Sequence, residues 1–124
     1  MFKYSKKSKD LLNGVDPQLK TLMNEVLKQS KLDIGITYGI RTAEEQRYIF
    51  DSGASRCDGV IKTSKHQLGL AVDFVVYYKG KLTYNIKYYY YIVGLIEVIS
   101  KQLNIKARSG IWWSFEDGGH VELI

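Results

Sequence analysis

The sequence predicts an α+β domain in which helices pack on a small antiparallel sheet. Alternating or apolar segments at 32–38 and 71–77 are typical of β-strands. Apolar residues recur at helical spacing over 17–30 and 88–103, and the two kinds of segment are mixed along the chain. A length of 124 residues supports one hydrophobic core, so we expect a single domain spanning residues 1–124.

The elements of the first half are bounded by capping residues. An aspartate N-cap before the only proline predicts a helix over 16–30. Segment 32–38 follows as a strand and ends at a glycine. A threonine–glutamate capping box opens a second helix over 42–51, which places Arg41 at the junction between strand and helix. From spacing alone, we favour a solvated surface charge over a ligand-binding role for Arg41.

The second half is predicted to contain the core strand and the longest helix. Residues 52–63 are small and polar and form a loop, and the apolar run 71–77 is a buried strand. Segment 78–84 is a hairpin turn followed by a short second strand. The helix over 88–103 is apolar on most of its circumference, so it packs under the sheet, with its tyrosines as core and rim residues. The last strand is predicted to carry Trp112, Trp113, Phe115 and His120.

Composition and charge exclude several classes of protein. With 45% hydrophobic and 25% charged residues, the chain is neither disordered nor membrane-spanning. The net charge of +5 favours anionic surroundings such as a cell wall. The lysines are spread along the chain, so we expect no nucleic-acid partner. We expect a monomer.

The single cysteine and the N-terminus both indicate synthesis in the cytoplasm. Cys57 cannot form an internal disulfide, which fits a reducing compartment. The basic N-terminus is not followed by an apolar segment, so no signal peptide is predicted.

An aspartate inside an apolar strand is the strongest chemical signal. An ionised carboxylate at Asp73 is costly among apolar neighbours unless it is paired, hydrogen-bonded or bound to a metal. His66 lies seven residues earlier, before Gly69, where the loop can fold back toward the strand face that carries Asp73. His120, the other of only two histidines, lies in the C-terminal segment.

His66, Asp73 and His120 form a donor set that zinc accepts. Zinc binds imidazole nitrogen and carboxylate oxygen, and its catalytic sites use three protein ligands and keep one position for water. Asp117, three residues before His120, is placed to act as a general base and then as an acid. From spacing alone, a hydrogen-bonded polar cluster in the core explains the three residues about as well. Glu122 shares a strand face with His120, and an exposed glutamate is at least as good an interpretation as a supporting role.

The spacing of these residues resembles that of the VanY-type zinc peptidases of peptidoglycan. The motif Ser-x-His-x-x-Gly-x-Ala-x-Asp at 64–73 and the motif Asp-x-x-His at 117–120 stand in the family's order. Segments 14–17, 39–46 and 113–117 match as well. Within this family, the chain is most similar to the L-alanyl-D-glutamate peptidases of phage endolysins.

The resemblance implies a fold, a cofactor and a set of roles. It implies a fold of the hedgehog and D-Ala-D-Ala-peptidase type, with Zn²⁺ held by His66, Asp73 and His120. Asp117 is then the catalytic acid and base, and Arg41 stabilises the developing oxyanion. Ser64 makes a supporting hydrogen bond near the site.

Two positions depart from the family pattern. Ile111 stands where the family has the aspartate of Gly-Gly-Asp-Trp, and Gly119 stands where it has a proline before the last histidine. We expect Gly119 to make the catalytic turn looser. Both changes are expected to affect substrate positioning and rate, because neither removes a metal ligand or the base.

The function implied by the resemblance is zinc-dependent cleavage of the L-Ala–D-Glu bond in the stem peptides of bacterial peptidoglycan. Such a lysin is made in the host cytoplasm and reaches the cell wall after release by a holin. One alternative is a D-Ala-D-Ala carboxypeptidase or dipeptidase with the same chemistry. Another is a non-catalytic, metal-stabilised wall-binding or virion module, against which the presence of Asp117 argues.

Overall fold

The computed structural model describes residues 2–40, 43–53, 65–112 and 119–124. These ranges contain four α-helices and five β-strands, which confirms the predicted α+β class. The helices are α1 (Lys6–Asn13), α2 (Pro17–Gln29), α3 (Ala43–Asp51) and α4 (Ile86–Gln102). The strands are β1 (Asp33–Tyr38), β2 (Ala71–Tyr78), β3 (Lys81–Thr83), β4 (Ala107–Ser109) and β5 (His120–Leu123).

The five strands form one antiparallel sheet in which β2 has the most partners. β1 pairs along one edge of β2. The other edge is shared, because β5 pairs with residues 71–73 and β3 with residues 76–78. β4 extends the sheet beyond β5. The turn between β2 and β3 has positive φ at Lys79 (51°) and Gly80 (78°), as a two-residue type I′ hairpin requires, so the predicted hairpin is confirmed.

The hydrophobic core combines the sheet with helices α2 and α4. The side chains that α2 buries have the predicted helical spacing: Leu19, Leu22, Met23, Val26 and Leu27. The Tyr89 ring of α4 stacks on Phe74 of β2, with 5.9 Å between ring centroids. Tyr89 is buried, whereas Tyr90 and Tyr91 are exposed, so the α4 tyrosines divide into core and rim residues as predicted.

Helices α2 and α4 begin where a side chain caps the first turn. Asp16 accepts a hydrogen bond from the first turn of α2, as predicted. Asn85 caps α4 in the same way, so this helix begins at Ile86, two residues before the predicted start. Thr42, the predicted cap of α3, lies outside the described residues. Within the described ranges, no helix is both long and apolar enough to cross a bilayer.

Helix α1 was not predicted from the sequence. Its N-cap, Ser5, accepts a hydrogen bond from the N–H of Ser8 at 3.2 Å. Ser8 is buried against β1, where its Oγ accepts a hydrogen bond from the N–H of Ile36 at 3.0 Å. The segment is rich in lysine and has few apolar residues, so its sequence pattern does not show the face that packs on the sheet.

The C-terminal part of the chain differs from the single strand that was predicted there. Trp112 belongs to a 3-10 turn, Gly110–Trp112, and not to a strand. This turn follows β4, a strand of three residues that is too short to leave a periodic pattern, and the final strand begins at His120. Trp113 and Phe115 lie outside the described residues.

Candidate active site

The structure brings together the three side chains that the sequence predicts as metal ligands. His66 lies in the turn before β2, Asp73 lies in β2, and His120 is the first residue of β5. His120 Nδ1 is 2.9 Å from Asp73 Oδ1, and His66 Nε2 is 3.2 Å from the same oxygen. The three candidate donor atoms all lie within 4.8 Å of one another.

A hydrogen-bonded turn places His66 at the start of β2. The N–H of Leu70 donates to the carbonyl of Lys65 at 2.9 Å, which closes the turn. Gly69 has a φ of 70°, a conformation that glycine adopts without steric cost. Its carbonyl accepts from the N–H of Asp16 at 2.8 Å, so the turn is attached to the start of α2. The His66 side chain is thereby held over β2 and is buried.

Strand register places His120 against Asp73, its direct partner in the β2–β5 ladder. The carbonyl of Gly119 accepts a hydrogen bond from the N–H of Phe74 at 2.7 Å. A Cβ atom added at Gly119 would lie 2.3 Å from the Phe74 carbonyl oxygen, so no larger residue fits this backbone. Gly119 itself is therefore packed tightly against the central strand, whereas Asp117 and Gly118, the rest of the turn that we expect to be looser, lie outside the described residues.

Each imidazole is also held on the side that faces away from Asp73. His66 Nδ1 lies 3.0 Å from the carbonyl oxygen of Gly39, and His120 Nε2 lies 2.8 Å from Glu122 Oε1. Gly39, Glu122 and Asp73 all offer hydrogen-bond acceptors, so each neutral ring gives its single proton to one of the two acceptors beside it. In the tautomer with the proton on the outer nitrogen, the lone pairs of His66 Nε2 and His120 Nδ1 are directed toward Asp73 Oδ1, as metal ligands require.

Glu122 is buried, with 4% of its surface exposed, so the interpretation as an exposed glutamate is wrong. Its other oxygen, Oε2, accepts a hydrogen bond from Arg108 Nε at 2.8 Å. Sequence reasoning missed both Arg108 and the Gly39 carbonyl as contacts of the site. Alternation along β5 places Glu122 beside His120, but no sequence signal places Arg108 opposite Glu122, because that contact depends on the β4–β5 register.

The carboxylates of Asp73, which is half-buried, and Glu122, which is buried, both have a pKa below the ordinary value. Burial raises the pKa of Asp73, but hydrogen bonds from His120 and His66 outweigh it and lower the pKa below its ordinary value. Burial also raises the pKa of Glu122, and hydrogen bonds from His120 and Arg108 lower it overall. Both groups are ionised at neutral pH, so the site favours a positive charge.

The donor set fits zinc. Two nitrogen lone pairs and a carboxylate oxygen directed at one point repel each other unless a proton or a cation lies between them. Zinc binds imidazole and carboxylate at about 2.1 Å in tetrahedral sites, which places the ligand atoms roughly 3.4 Å apart. The observed 2.9 and 3.2 Å are close to this spacing. Mg²⁺ and Ca²⁺ prefer oxygen ligands and suit the cluster less well.

Three further residues predicted for the site, Arg41, Ser64 and Asp117, lie outside the described residues. Ile111 is described, and it is a core residue with 2% of its surface exposed. Where the family pattern has an aspartate, this chain therefore has an isoleucine whose side chain packs in the interior.

Comparison with known proteins identifies the family to which this chain belongs. A family profile described as phage L-alanyl-D-glutamate peptidase matches residues 1–124. The chain belongs to this family. The L-alanyl-D-glutamate peptidase of Escherichia phage T5 is 33% identical over 136 aligned positions, which cover 99% of this chain and 98% of that protein. Membership in the family confirms the resemblance inferred from the motifs and the assignment to the peptidases.

Solved structures share the fold of this family member. The Serratia marcescens L-Ala D-Glu endopeptidase ChiX matches with a TM-score of 0.88 and 26% identity, covering 98% of this chain and 90% of ChiX. The D,D-pentapeptidase VanY, solved as a mutant in complex with Zn(II), matches with a TM-score of 0.63 and 17% identity, over 88% of this chain and 72% of VanY. The VanY likeness concerns the fold alone and confirms the predicted D-Ala-D-Ala-peptidase-like architecture.

Proposed function

We propose that this chain is a zinc-dependent peptidase that cleaves the L-alanyl-D-glutamate bond in the stem peptides of bacterial peptidoglycan. The observation that carries the proposal is the convergence of His66 Nε2, Asp73 Oδ1 and His120 Nδ1 in a member of this peptidase family. The choice of bond is supported by the names of two relatives, the phage T5 peptidase and ChiX.

His66, Asp73 and His120 would hold the zinc ion. When bound, zinc supplies a Lewis acid that polarises a carbonyl and lowers the pKa of water toward about 7. The hydrogen bonds to Gly39 and Glu122 orient the two imidazoles in advance, so the ligands need little rearrangement when a cation binds.

Asp117, Arg41 and Ser64 complete the proposed machinery. Asp117 takes a proton from the attacking water and passes it to the amine nitrogen as the amide C–N bond breaks. Arg41 donates hydrogen bonds to the carbonyl oxygen as negative charge develops on it. Ser64 supports the site through a hydrogen bond. These assignments rest on the positions of the three residues in the family motifs.

The same proposal extends to domain organisation and place of action. The family profile spans residues 1–124, which supports a single catalytic domain. The net charge of +5 suits an anionic wall, so the domain itself supplies attraction to its substrate. We place its action, as a monomer, at the cell wall after synthesis in the host cytoplasm and holin-dependent release.

A second candidate function is cleavage of a D-Ala-D-Ala bond. The observation that favours it is the fold shared with VanY and with the D,D-dipeptidase VanXYg, which matches with a TM-score of 0.53 and 14% identity over 88% of this chain and 50% of VanXYg. The same donor set can serve either bond, because the choice depends on how the stem peptide is positioned.

Digestion of purified sacculi separates the two functions. The metal content of the purified protein is measured by mass spectrometry, and sacculi are then incubated with the protein in the presence and absence of a chelator. We expect one zinc per chain, loss of activity with chelator, and new N-terminal D-Glu in the products. Release of free D-Ala without new D-Glu termini would support the second candidate instead.

A variant pair tests the acid/base assignment. Asp117→Asn should lower the rate of wall digestion by about 100-fold or more, as expected for loss of a general acid and base. Asp10→Asn is the matched control, because Asp10 is exposed and pairs only with Lys6 among the contacts described. An Asp117→Asn protein that digests sacculi as fast as this control would contradict the assignment.

A further inference from the structure

The outer side of His120 contacts Glu122, which in turn contacts Arg108, and the proposed reaction uses neither of these charged residues. His120 Nε2 lies 2.8 Å from Glu122 Oε1, and Glu122 Oε2 is 2.7 Å from Arg108 Nη2 and 2.8 Å from Arg108 Nε. The two carboxylate oxygens therefore have different partners, one toward the site and one away from it. The Glu122 side chain is 5% exposed and the Arg108 side chain 53% exposed, so the arginine approaches from the solvent side.

The register of the strands places these side chains side by side. Glu122 is paired with Arg108 across the β4–β5 ladder and with Ala71 across the β2–β5 ladder. His120 and Glu122 are two residues apart on β5, so their side chains share one face. Arg108, Glu122, His120 and Asp73 thus form a continuous chain of contacts across three adjacent strands.

We propose that Arg108 and Glu122 are positioning residues that select the metal-binding tautomer of His120. The proposal rests on the zinc site of the proposed function. A carboxylate oxygen only accepts hydrogen bonds, so Glu122 favours the neutral tautomer with the proton on Nε2, whereas Asp73 favours the proton on Nδ1 until a cation binds beside it. Nδ1 is then left with its lone pair directed toward Asp73 and available to zinc. Arg108 holds the carboxylate in place through its other oxygen.

The two histidines differ in how this selection is made. His66 is oriented by the backbone carbonyl of Gly39, which no substitution removes. His120 is oriented by a side chain, so its tautomer can be changed by mutation. Partners of this kind typically contribute 10- to 100-fold to metal affinity.

Glu122→Gln is the informative substitution, because glutamine has one oxygen and one NH₂ group where glutamate has two acceptors. Arg108 donates only, so it attracts the amide oxygen, and the NH₂ group is turned toward His120 Nε2. That contact requires Nε2 to accept, which moves the ring proton to Nδ1 and blocks the metal. We expect Glu122→Gln to weaken zinc binding by about 10- to 100-fold.

The double variant distinguishes tautomer selection from a structural role. In Glu122→Gln with Arg108→Met, no guanidinium competes for the amide oxygen, so the glutamine can turn its oxygen to His120 Nε2. We expect the double variant to bind zinc more tightly than Glu122→Gln alone. Arg108→Met by itself should weaken zinc binding only a few-fold, because Glu122 still accepts from His120.

The measurement is competition between each full-length variant and a chromophoric chelator for Zn²⁺, with visible absorption of the Co²⁺-loaded protein as a second readout. Glu25→Gln is the matched control, because Glu25 is a half-buried residue of α2 that accepts a hydrogen bond from Gln29. The proposal is overturned if Glu122→Gln binds zinc as tightly as the parent, or if adding Arg108→Met does not restore affinity. A parent that binds no zinc also overturns it. The zinc competition contains no substrate, so it tests the positioning role independently of peptidase activity. A parent that binds zinc normally but fails to cut sacculi would contradict the proposed function and leave the positioning role intact.

Discussion

At the scale of single residues, Asp73 shows how an ionised side chain is accommodated in an otherwise apolar strand. Its neighbours Val72 and Phe74 are buried in the core, whereas the carboxylate lies on the opposite face beside two imidazoles. The burial penalty is offset by those contacts, and its pKa is lowered as a result. The same contacts make Asp73 the residue around which the donor atoms are arranged.

Asp73→Asn should abolish tight zinc binding. The amide has no charge and one fewer acceptor, and its NH₂ group competes with the cation for the imidazole lone pairs. Substitution of residues that only support ligands costs 10- to 100-fold in affinity, so loss of this ligand should cost more than about 100-fold. Chelator competition measures the change. Asp16→Asn is a suitable control, because asparagine caps a helix as well as aspartate, and its zinc affinity should equal that of the parent.

Tyr4 gives a prediction about alkaline pH. Its hydroxyl donates to the carbonyl of Met23 at 2.7 Å in a buried position. Burial, and secondarily the charge of Asp33, raises the pKa of Tyr4 above its ordinary value of 10.0. Above pH 10 the unfolded chain loses this proton while the folded chain keeps it, so the stability contributed by Tyr4 is lost as pH rises.

Tyr4→Phe isolates this effect. Near pH 8 the variant should be less stable than the parent by about 1 kcal/mol, because it lacks the hydrogen bond. Above pH 10 the difference in unfolding free energy should shrink by up to about 1.4 kcal/mol per pH unit. Urea denaturation at a series of pH values measures it, and a difference that stays constant to pH 11 would contradict the raised pKa.

At the scale of elements, the ladder between β2 and β5 depends on the absence of a side chain at Gly119. Gly119→Ala would place Cβ 2.3 Å from the Phe74 carbonyl, so the strands must separate. We expect a loss of about 1–3 kcal/mol in unfolding free energy and weaker zinc binding, because His120 moves away from Asp73. Thermal unfolding and chelator competition measure the two effects.

Gly94→Ala is the matched control for Gly119→Ala. Gly94 lies within α4, and an added Cβ there meets no atom within 4 Å. Alanine in a helix interior should raise the unfolding free energy by about 0.5–1 kcal/mol, with no change in zinc affinity. If the two alanine variants have the same stability and zinc affinity, the close approach of Gly119 to β2 does not prevent a side chain at that position.

Elements with strong local signals could be predicted from the sequence. Helix α2 has an aspartate–proline start and a regular apolar stripe, and β2 is a continuous apolar run, so both were found close to their observed bounds. Helix α1 and strand β4 were missed. The buried face of α1 depends on Ser8, a polar residue whose partner is the backbone of β1, and β4 has only three residues.

The site could also be predicted only where its residues have a local signal in the sequence. A carboxylate in an apolar strand requires an explanation, which identified Asp73, and His66 and His120 were added as the only two histidines of the chain. The choice of a metal site over a polar cluster came from the resemblance to the peptidase family. Arg108 and the Gly39 carbonyl could not be found, because neither has a local signal. Their contribution comes from strand register and from a turn that brings residues 27 apart in sequence together.

At the scale of the whole molecule, ligands from a turn and two strands make cation binding depend on the folded state. His66, Asp73 and His120 come from separate parts of the chain, so the unfolded chain offers no comparable site. A cation that binds only the folded state stabilises it in proportion to the logarithm of its concentration.

Zinc should therefore raise the melting temperature in a concentration-dependent manner. At about 1,000 times the dissociation constant the gain is about 4 kcal/mol, which corresponds to roughly 10–20 °C for a chain of this size. Differential scanning calorimetry with and without chelator measures the shift, and Mg²⁺ serves as the control ion, for which we expect little change. Equal shifts with both ions would show that the gain does not come from the nitrogen ligands.

The β2–β5 pairing has a further consequence for the order of events during folding. Asp73 and His120 are 47 residues apart, so their contact closes a long loop and is entropically costly to form early. If the ladder forms after the rate-limiting barrier, an ion that binds there leaves the refolding rate unchanged and slows unfolding. The lifetime of the native enzyme, and not the speed with which it is acquired, would then depend on the metal supply.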